Sequence, residues 1–326
     1  MLALVTGGQG FVGSHLCARL AAKGHRVRVL ARPSSALRNL TGIDVDVVRA
    51  DLTEPASLPA AVAGCDVVFH VAGALKGLRE EDLFRVNADG TQNLAAACAA
   101  AAPRASRFVY VSSLAAAGPS PGGRTPNTED MAPRPLTWYG RSKLAGEDAV
   151  RSIDGLSWTI VRPPIVFGPR ERDVLGYFRV ARRGYLPVVG CADRFYSLIY
   201  VENLAEGLIR AAEAPKAAGQ VYFLAGPEVV SWAELGQLIG SALGVAGRLL
   251  RLPEALAAVA GRVADLIARA RGRPEIFSSQ KVLEMLAPAW VCSADKAARD
   301  FGWRAATPLP EALGMTARWY REHGWL

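Results

Sequence analysis

Short apolar runs alternate with stretches of helical spacing through the first half of the chain. Residues 2–6, 27–31, 45–49, 66–71, 107–112 and 158–161 are brief runs rich in Val, Leu, Ile and Phe. Each has the length and composition of a buried strand. Between them, 11–22, 83–102 and 139–151 repeat apolar residues at three- and four-residue spacing, which predicts helices. Parallel neighbours need long crossovers, and crossover helices cover both faces of a sheet. Residues 1–162 therefore read as a doubly wound parallel α/β unit.

Beyond residue 162 the pattern loosens. Pro163-Pro164, Gly168-Pro169 and the GYLP of 184–187 interrupt it. Strands are expected at 197–201 and 221–224, and helices at 202–212, 231–243 and 254–271. Residues 163–326 thus form a smaller C-terminal α/β lobe, interleaved with the first unit, with some segments returning to the main sheet. In the helix expected at 254–271, Leu256, Val259, Val263, Leu266 and Ile267 share one face. That face predicts a helix turned toward the core of the lobe. Arg262, Arg269 and Arg271 on the polar side leave a lid or a membrane-surface helix as alternatives.

Composition narrows the partners. The 326 residues are 51% hydrophobic and 21% charged, an ordinary globular balance. The net charge of +8 comes from scattered arginines, with no basic tail or aromatic-interleaved basic stripe, which argues against nucleic acid. Such a surface suits a phosphate-bearing cofactor or substrate. Cys17, Cys65, Cys98, Cys191 and Cys292 are odd in number and form no C-x-x-C pair, so free thiols are expected, with neither disulfides nor a metal site. No apolar run has the length of a membrane span, and the start lacks a basic leader and cleavage site; the expected location is the cytoplasm.

The first strand ends in VTGGQGFVGSHL, which puts Gly7, Gly10 and Gly13 at G-x-x-G-x-x-G spacing before a helix. A strand before and a helix after is the context in which such glycines cradle a dinucleotide. Gly7 permits the tight turn, Gly10 the approach of a pyrophosphate, and Gly13 close helix–strand packing. The end of the second strand reads VRVLARPSS. Ala31 stands where an acidic residue would hold the ribose 2′-OH of NAD, and Arg32 follows. Arg32, with Ser34 or Ser35, suits a 2′-phosphate, which favours NADP, with NAD as the alternative. Asp51 would accept from an adenine amino group or cap the next helix.

These motifs stand in an order with HVAG at 70–73, NADGT at 87–91, VYVSS at 109–113, YGRSK at 139–143 and RPPIVFGP at 162–169. The whole resembles the extended short-chain dehydrogenase/reductase superfamily, of the NAD-dependent epimerase/dehydratase type. The resemblance covers nearly all the chain. It implies a Rossmann-type sheet with a substrate-binding C-terminal lobe, and a homodimer through the helices at 83–102 and 139–151. It also implies roles. Tyr139 would be the catalytic acid/base, Lys143 its partner and Ser113 the third member, with Ser112 the weaker choice. Gly7, Gly10, Phe11 and Val12 would line the pyrophosphate, and Asp51 and Leu52 the adenine. Ala72 and Gly73 would run along the cofactor, Asn87 would support the site, and Pro163, Ile165 and Val166 would flank the nicotinamide.

Tyr139 and Lys143 lie four apart, on one helix face. A tyrosine titrates near 10 and is a poor base at neutral pH. A nearby ammonium would favour its phenolate. Several reactions share this machinery, and the fold does not choose among them. Ile165 stands where nucleotide-sugar members often carry an asparagine, which brings the chain closer to the 3β-hydroxysteroid dehydrogenase and dihydroflavonol reductase-like branch. Leu114 and Ala115 follow Ser113, so the acid that dehydratases add is missing. Phe178, Tyr185, Leu186, Phe195, Tyr196, Phe277 and Met285 are candidates for an apolar substrate wall. The expected activity is interconversion of a secondary alcohol and a ketone on a steroid-, polyketide- or flavonoid-like molecule. Arg170, Arg172, Arg179 and Arg194 could instead grip a pyrophosphate, which would suit a nucleotide-sugar 4-epimerase holding NAD. A non-catalytic NADP sensor is a third reading.

Overall fold

The computed structural model describes residues 1–101, 107–190, 193–275 and 277–326. β1 (Leu2–Thr6) lies within a large parallel sheet, between β2 (Arg26–Ala31) and β4 (Val67–His70). β3 (Asp46–Arg49) extends the sheet beyond β2, and β5 (Arg107–Val111) and β6 (Trp158–Arg162) extend it beyond β4. β10 (Gln220–Phe223) returns from the second half of the chain and pairs with β6. The resulting order is β10-β6-β5-β4-β1-β2-β3. β4 and β5 are buried along their whole length, as strands covered on both faces must be. The strand order reverses between β1 and β4, and ligands bind in the crevice that such a reversal opens at the carboxyl edge.

The rest of the second half builds a cap over that edge. β7 (Ile165–Phe167), β11 (Val229–Ser231) and β13 (Ala289–Trp290) all pair with β9 (Phe195–Tyr200). β8 (Tyr185–Val189) pairs with β12 (Arg248–Leu252). Phe178, Leu186, Tyr196 and Tyr320 pack in the core that joins these pieces. Ser231 caps the helix Trp232–Leu243 reciprocally with Glu234, which explains why that helix starts where it does. Cys17, Cys65, Cys98 and Cys292 are buried free thiols; Cys191 lies outside the described residues. Among the described residues no helix is long and apolar enough to cross a membrane.

Two helices depart from the sequence reading. The helix expected at 83–102 begins at Glu80 and is broken by a π turn over Arg85–Asp89 before it continues as Gly90–Ala101; residue 102 lies outside the described residues. At that turn the Asn87 carbonyl accepts from the hydroxyls of Thr91 (2.7 Å) and Tyr110 (3.3 Å). Such bulges turn a side chain out of its regular position, and here the residue concerned is Asn87.

The helix Glu254–Arg271 forms, but its apolar stripe does not face the core. Leu256, Val259, Val263, Leu266 and Ile267 are between 42% and 65% exposed, and Ala257, Gly261 and Ala268 face inward instead. A Cβ on Gly261 would lie 2.9 Å from the Val282 side chain. The small residues therefore let this helix close on its neighbour Ser279–Leu286, an approach that leucines on that side would prevent.

The helix Trp138–Arg151 is fixed to the sheet by a buried charge cluster. Glu147 accepts two bonds from Arg162 at the end of β6 (2.8 and 2.7 Å), one from Ser112 (2.6 Å) and one from Arg151 (2.8 Å). Burial alone would raise the Glu147 carboxyl, but Arg162, Ser112 and Arg151 outweigh it and hold the group below its ordinary value. Replacing one partner strands the other's charge in the interior. Arg162→Met is therefore expected to lose about 3–5 kcal/mol of stability. Denaturant unfolding checks this, and a loss under about 1 kcal/mol would mean that the pair does not hold the helix.

Candidate active site

The glycine turn is built as its sequence requires. Gly7 has φ +69°, and a Cβ there would lie 2.8 Å from the Ala72 backbone. A Cβ on Gly13 would stand 2.2 Å from the Gly7 carbonyl oxygen. The helix Phe11–Ala22 starts at Gly10 with no side-chain cap, so its first amides are left for another acceptor. Phe11 and Val12 are half-buried in that first turn, against the core below. Beside the turn, the Gln9 side-chain carbonyl oxygen is buried with no hydrogen-bond partner among the described residues. An uncapped helix start, a Cβ-free cradle and an orphaned polar atom together fit a dinucleotide's diphosphate.

Arg32 is exposed at the end of β2. Its carbonyl accepts from Ser35 and Arg49, and its guanidinium makes no hydrogen bond among the described residues. Asp51 caps the local turn, accepting from the Thr53 amide and hydroxyl at 2.9 Å each. Burial works to raise its carboxyl, but Thr53, with Arg32 and Arg85, holds it below the ordinary value. Leu52 is buried under Gly90. The Ala72 amide donates to Thr6, and a Cβ on Gly73 would lie 3.7 Å from Lys143 Nζ. Asn87 spans this loop: it accepts from the Ala74 amide (2.7 Å) and donates to the Ala74 carbonyl (2.8 Å) and to Ser142 (2.9 Å). The Pro163 carbonyl accepts from Leu114, and Ile165 and Val166 are half-buried in β7.

Ser113 ends the segment after β5 and caps the short helix Leu114–Ala117. Ser112 is excluded from the cleft because its hydroxyl is spent on Glu147. Ser113 and Tyr139 both line one cleft, and Ser113 works to lower the phenol. Burial nevertheless pushes Tyr139 up to about 12, with Glu284 adding to the rise. Lys143 is buried beneath them. Its Nζ donates to the Val111 carbonyl at 2.7 Å and sits 4.2 Å from the Tyr110 ring centre. Burial brings it down to about 7, while Glu147 pulls the other way. Burial dominates at Tyr139, and the Lys143 Nζ is engaged by the Val111 carbonyl and the Tyr110 ring.

The cleft has a volume of about 420 Å³ and is lined by Leu83, Trp138, Ile165, Trp232 and Trp290, among others. Of the expected apolar wall, Tyr196, Phe277 and Met285 line it. Phe178 and Leu186 belong to the core, Tyr185 is exposed on the surface, and Phe195 stacks on Arg124. The four candidate arginines do not converge. Arg170 donates to Ser14, Arg172 lies over the Trp325 ring, and Arg179 donates to the Trp325 carbonyl. Arg194 reaches the cleft already paired with Glu254 at 2.6 Å. Sequence reasoning missed Glu147 and Arg162, although Glu147 stands one helical turn beyond Lys143, and it missed the cleft-lining tryptophans.

Residues 3–225 match the NAD dependent epimerase/dehydratase family. The chain belongs to that family. It is 35% identical over 323 residues to the ceramide reductase of Caulobacter vibrioides, covering 99% of this chain and 95% of that protein. It is 30% identical to the 2-alkyl-3-oxoalkanoate reductase of Shewanella oneidensis, covering 95% and 84%. The fold superposes on the UDP-glucose 4-epimerase of Thermotoga maritima with a TM-score of 0.80 at 21% identity, over 99% of each chain. This member of the family is an NAD(P)-dependent oxidoreductase of the extended short-chain type, with a Rossmann-type fold and a nicotinamide dinucleotide as its cofactor.

The depressed Lys143 has a measurable consequence. Unfolded, a lysine holds its proton to about 10.5; folded, Lys143 holds it only to about 7. Between those values the unfolded chain binds more protons, so this group makes stability rise with pH. In the absence of dinucleotide, the wild type is expected to gain stability relative to Lys143→Met between about pH 7 and about pH 9. Urea unfolding of both proteins at the two pH values measures it, and a constant difference would show that the lysine is not desolvated.

Proposed function

We propose that the protein is an NADP-dependent reductase of a ketone carried on a long, apolar, lipid-like molecule, with Ser113, Tyr139 and Lys143 as its catalytic residues. The observation that carries this reading is a cleft that brings Ser113 and Tyr139 together with Trp138, Trp232 and Trp290 and in which Arg194 is already paired with Glu254. Tyr139 keeps its proton at neutral pH, as an ordinary tyrosine does, and can therefore serve as the acid of a reduction. Bound in the cradle, the cofactor supplies the hydride. Ser113 donates a hydrogen bond to the substrate oxygen as it gains negative charge, and Tyr139 gives that oxygen its proton. Lys143, in its ammonium form, favours the phenolate that remains. Asn87 holds the 72–74 loop and the Tyr139 helix in register.

The relatives support the substrate class, since the names of both describe reductases of lipid or alkanoate compounds. The epimerase reading gains nothing from the arginines, three of which are structural and the fourth paired. The exposed guanidinium of Arg32, free of hydrogen bonds among the described residues, supports NADP. The family's homodimer would pair the helices Gly90–Ala101 and Trp138–Arg151; a strict monomer on size exclusion would rule it out.

Tyr139→Phe is expected to lower kcat about 10²–10⁴-fold while NADPH still binds. Unchanged turnover would remove Tyr139 from the chemistry, and absence of turnover on any ketone in the wild type would favour a sensor. Arg32→Ala should weaken NADPH about 10- to 100-fold and leave NADH nearly unchanged. Equal weakening of both by fluorescence titration would refute the 2′-phosphate role.

A further inference from the structure

We propose that the helix Glu254–Arg271 is a docking face for an anionic lipid surface that presents the substrate's chain to the cleft behind it. The docking face stands on its own observations; delivery of a ketone rests on the reductase reading above. Leu256, Val259, Val263, Leu266 and Ile267 form an unpartnered stripe along the outside of the helix. The helix is held to the protein by its opposite side, through Ala257, Gly261 and Ala268. An apolar face turned outward at this length is costly in water unless something covers it.

Charge identifies the cover. Residues 248–273 carry six arginines and two acids. Arg248, Arg262, Arg269, Arg271 and Arg273 are exposed, and among the described residues none of them makes an ion pair. Both acids are engaged inward: Glu254 pairs with Arg194, and Asp265 accepts from the Ser279 amide. Arg262 and Arg269 flank one side of the apolar stripe and Arg271 the other, the arrangement of a helix lying in a membrane interface. A second copy of the chain would bring arginines against arginines. Anionic headgroups would meet them while the leucines enter the acyl boundary.

The same element is a wall of the cleft. Ala268 and Arg269 line it from the helix and Phe277 from the segment that follows, in the cleft that also holds Ser113 and Tyr139. A lipid drawn from a bilayer under this face would reach the catalytic pair without crossing water.

The test uses the whole protein and vesicles of phosphatidylcholine, alone or mixed with an equal part of phosphatidylglycerol. Co-sedimentation is expected with the mixed vesicles and not with the neutral ones, and added salt should release the protein. Leu256→Glu/Leu266→Glu should weaken binding about tenfold or more. It should keep turnover of a short, soluble 3-oxoester and lose turnover of a long-chain ketone embedded in the vesicles. Arg262→Gln/Arg271→Gln should weaken binding without altering the soluble reaction. Failure to bind anionic vesicles, or binding that the leucine variant leaves intact, overturns the proposal. So does a wild-type dimer that the leucine variant makes monomeric, which would assign the face to a second copy. If vesicle binding behaves as expected and neither ketone is reduced, the docking face stands and the reductase reading falls.

Discussion

A carboxylate buried with two guanidinium bonds fixes the helix that carries Tyr139 and Lys143. Glu147 lies on the same helix as Tyr139 and Lys143, and Arg162 ends β6, so their paired bonds clamp that helix against the sheet edge. Ser112 donates to the same carboxylate, which orients the turn after β5 and leaves Ser113, rather than Ser112, facing the cleft. A buried pair contributes little net stability compared with an apolar packing of the same shape, but it is strict about geometry, because a displaced partner leaves a bare charge. Position is what an active site needs from it.

The dinucleotide cradle depends on the same rigid frame from the other side. Gly7 brings the first turn so close to Ala72 that a single Cβ would separate them, and Gly13 lets the helix close on Gly7. Asn87 joins that loop to Ser142 on the Tyr139 helix. His70 ties β1 to the Gly90–Ala101 helix through Thr6 and Thr91, and burial keeps its imidazole neutral, down to about 3, with Lys143 adding to the effect. The glycine turn, the loop and the Tyr139 helix are therefore one connected structure, and a small displacement of any part is felt at the others.

Most of the Rossmann half was legible because its signals are local. A strand buried on both faces is an apolar run, and a glycine turn between strand and helix needs no distant partner to be read. The β12–β8 pair, the two-residue β13 and the helix Leu309–Glu322 were missed. β12 reads RLLRL and β13 is only AW, and what makes them strands is a partner far off in sequence. The π turn at Asn87 was hidden for a similar reason, since the hydroxyl of Tyr110 that helps hold it comes from another strand. The candidate site residues came from the motifs and the family resemblance, but Glu147 and Arg162 look like ordinary charged residues until the fold buries them together.

The helix Glu254–Arg271 shows what periodicity does and does not settle. Its apolar stripe was found correctly, and its direction was not. Periodicity says that two faces differ; it does not say which one meets the protein. Here the face with the larger side chains loses because the neighbouring helix comes too near Gly261 for them to fit. Ala257 and Ala268 satisfy that approach, and the leucines are left outside. Desolvation is the common thread between this helix and the chemistry. Burial raises Tyr139, which lines the cleft together with Ala268 and Arg269 of this helix, and burial lowers Lys143 one turn further along the Trp138–Arg151 helix.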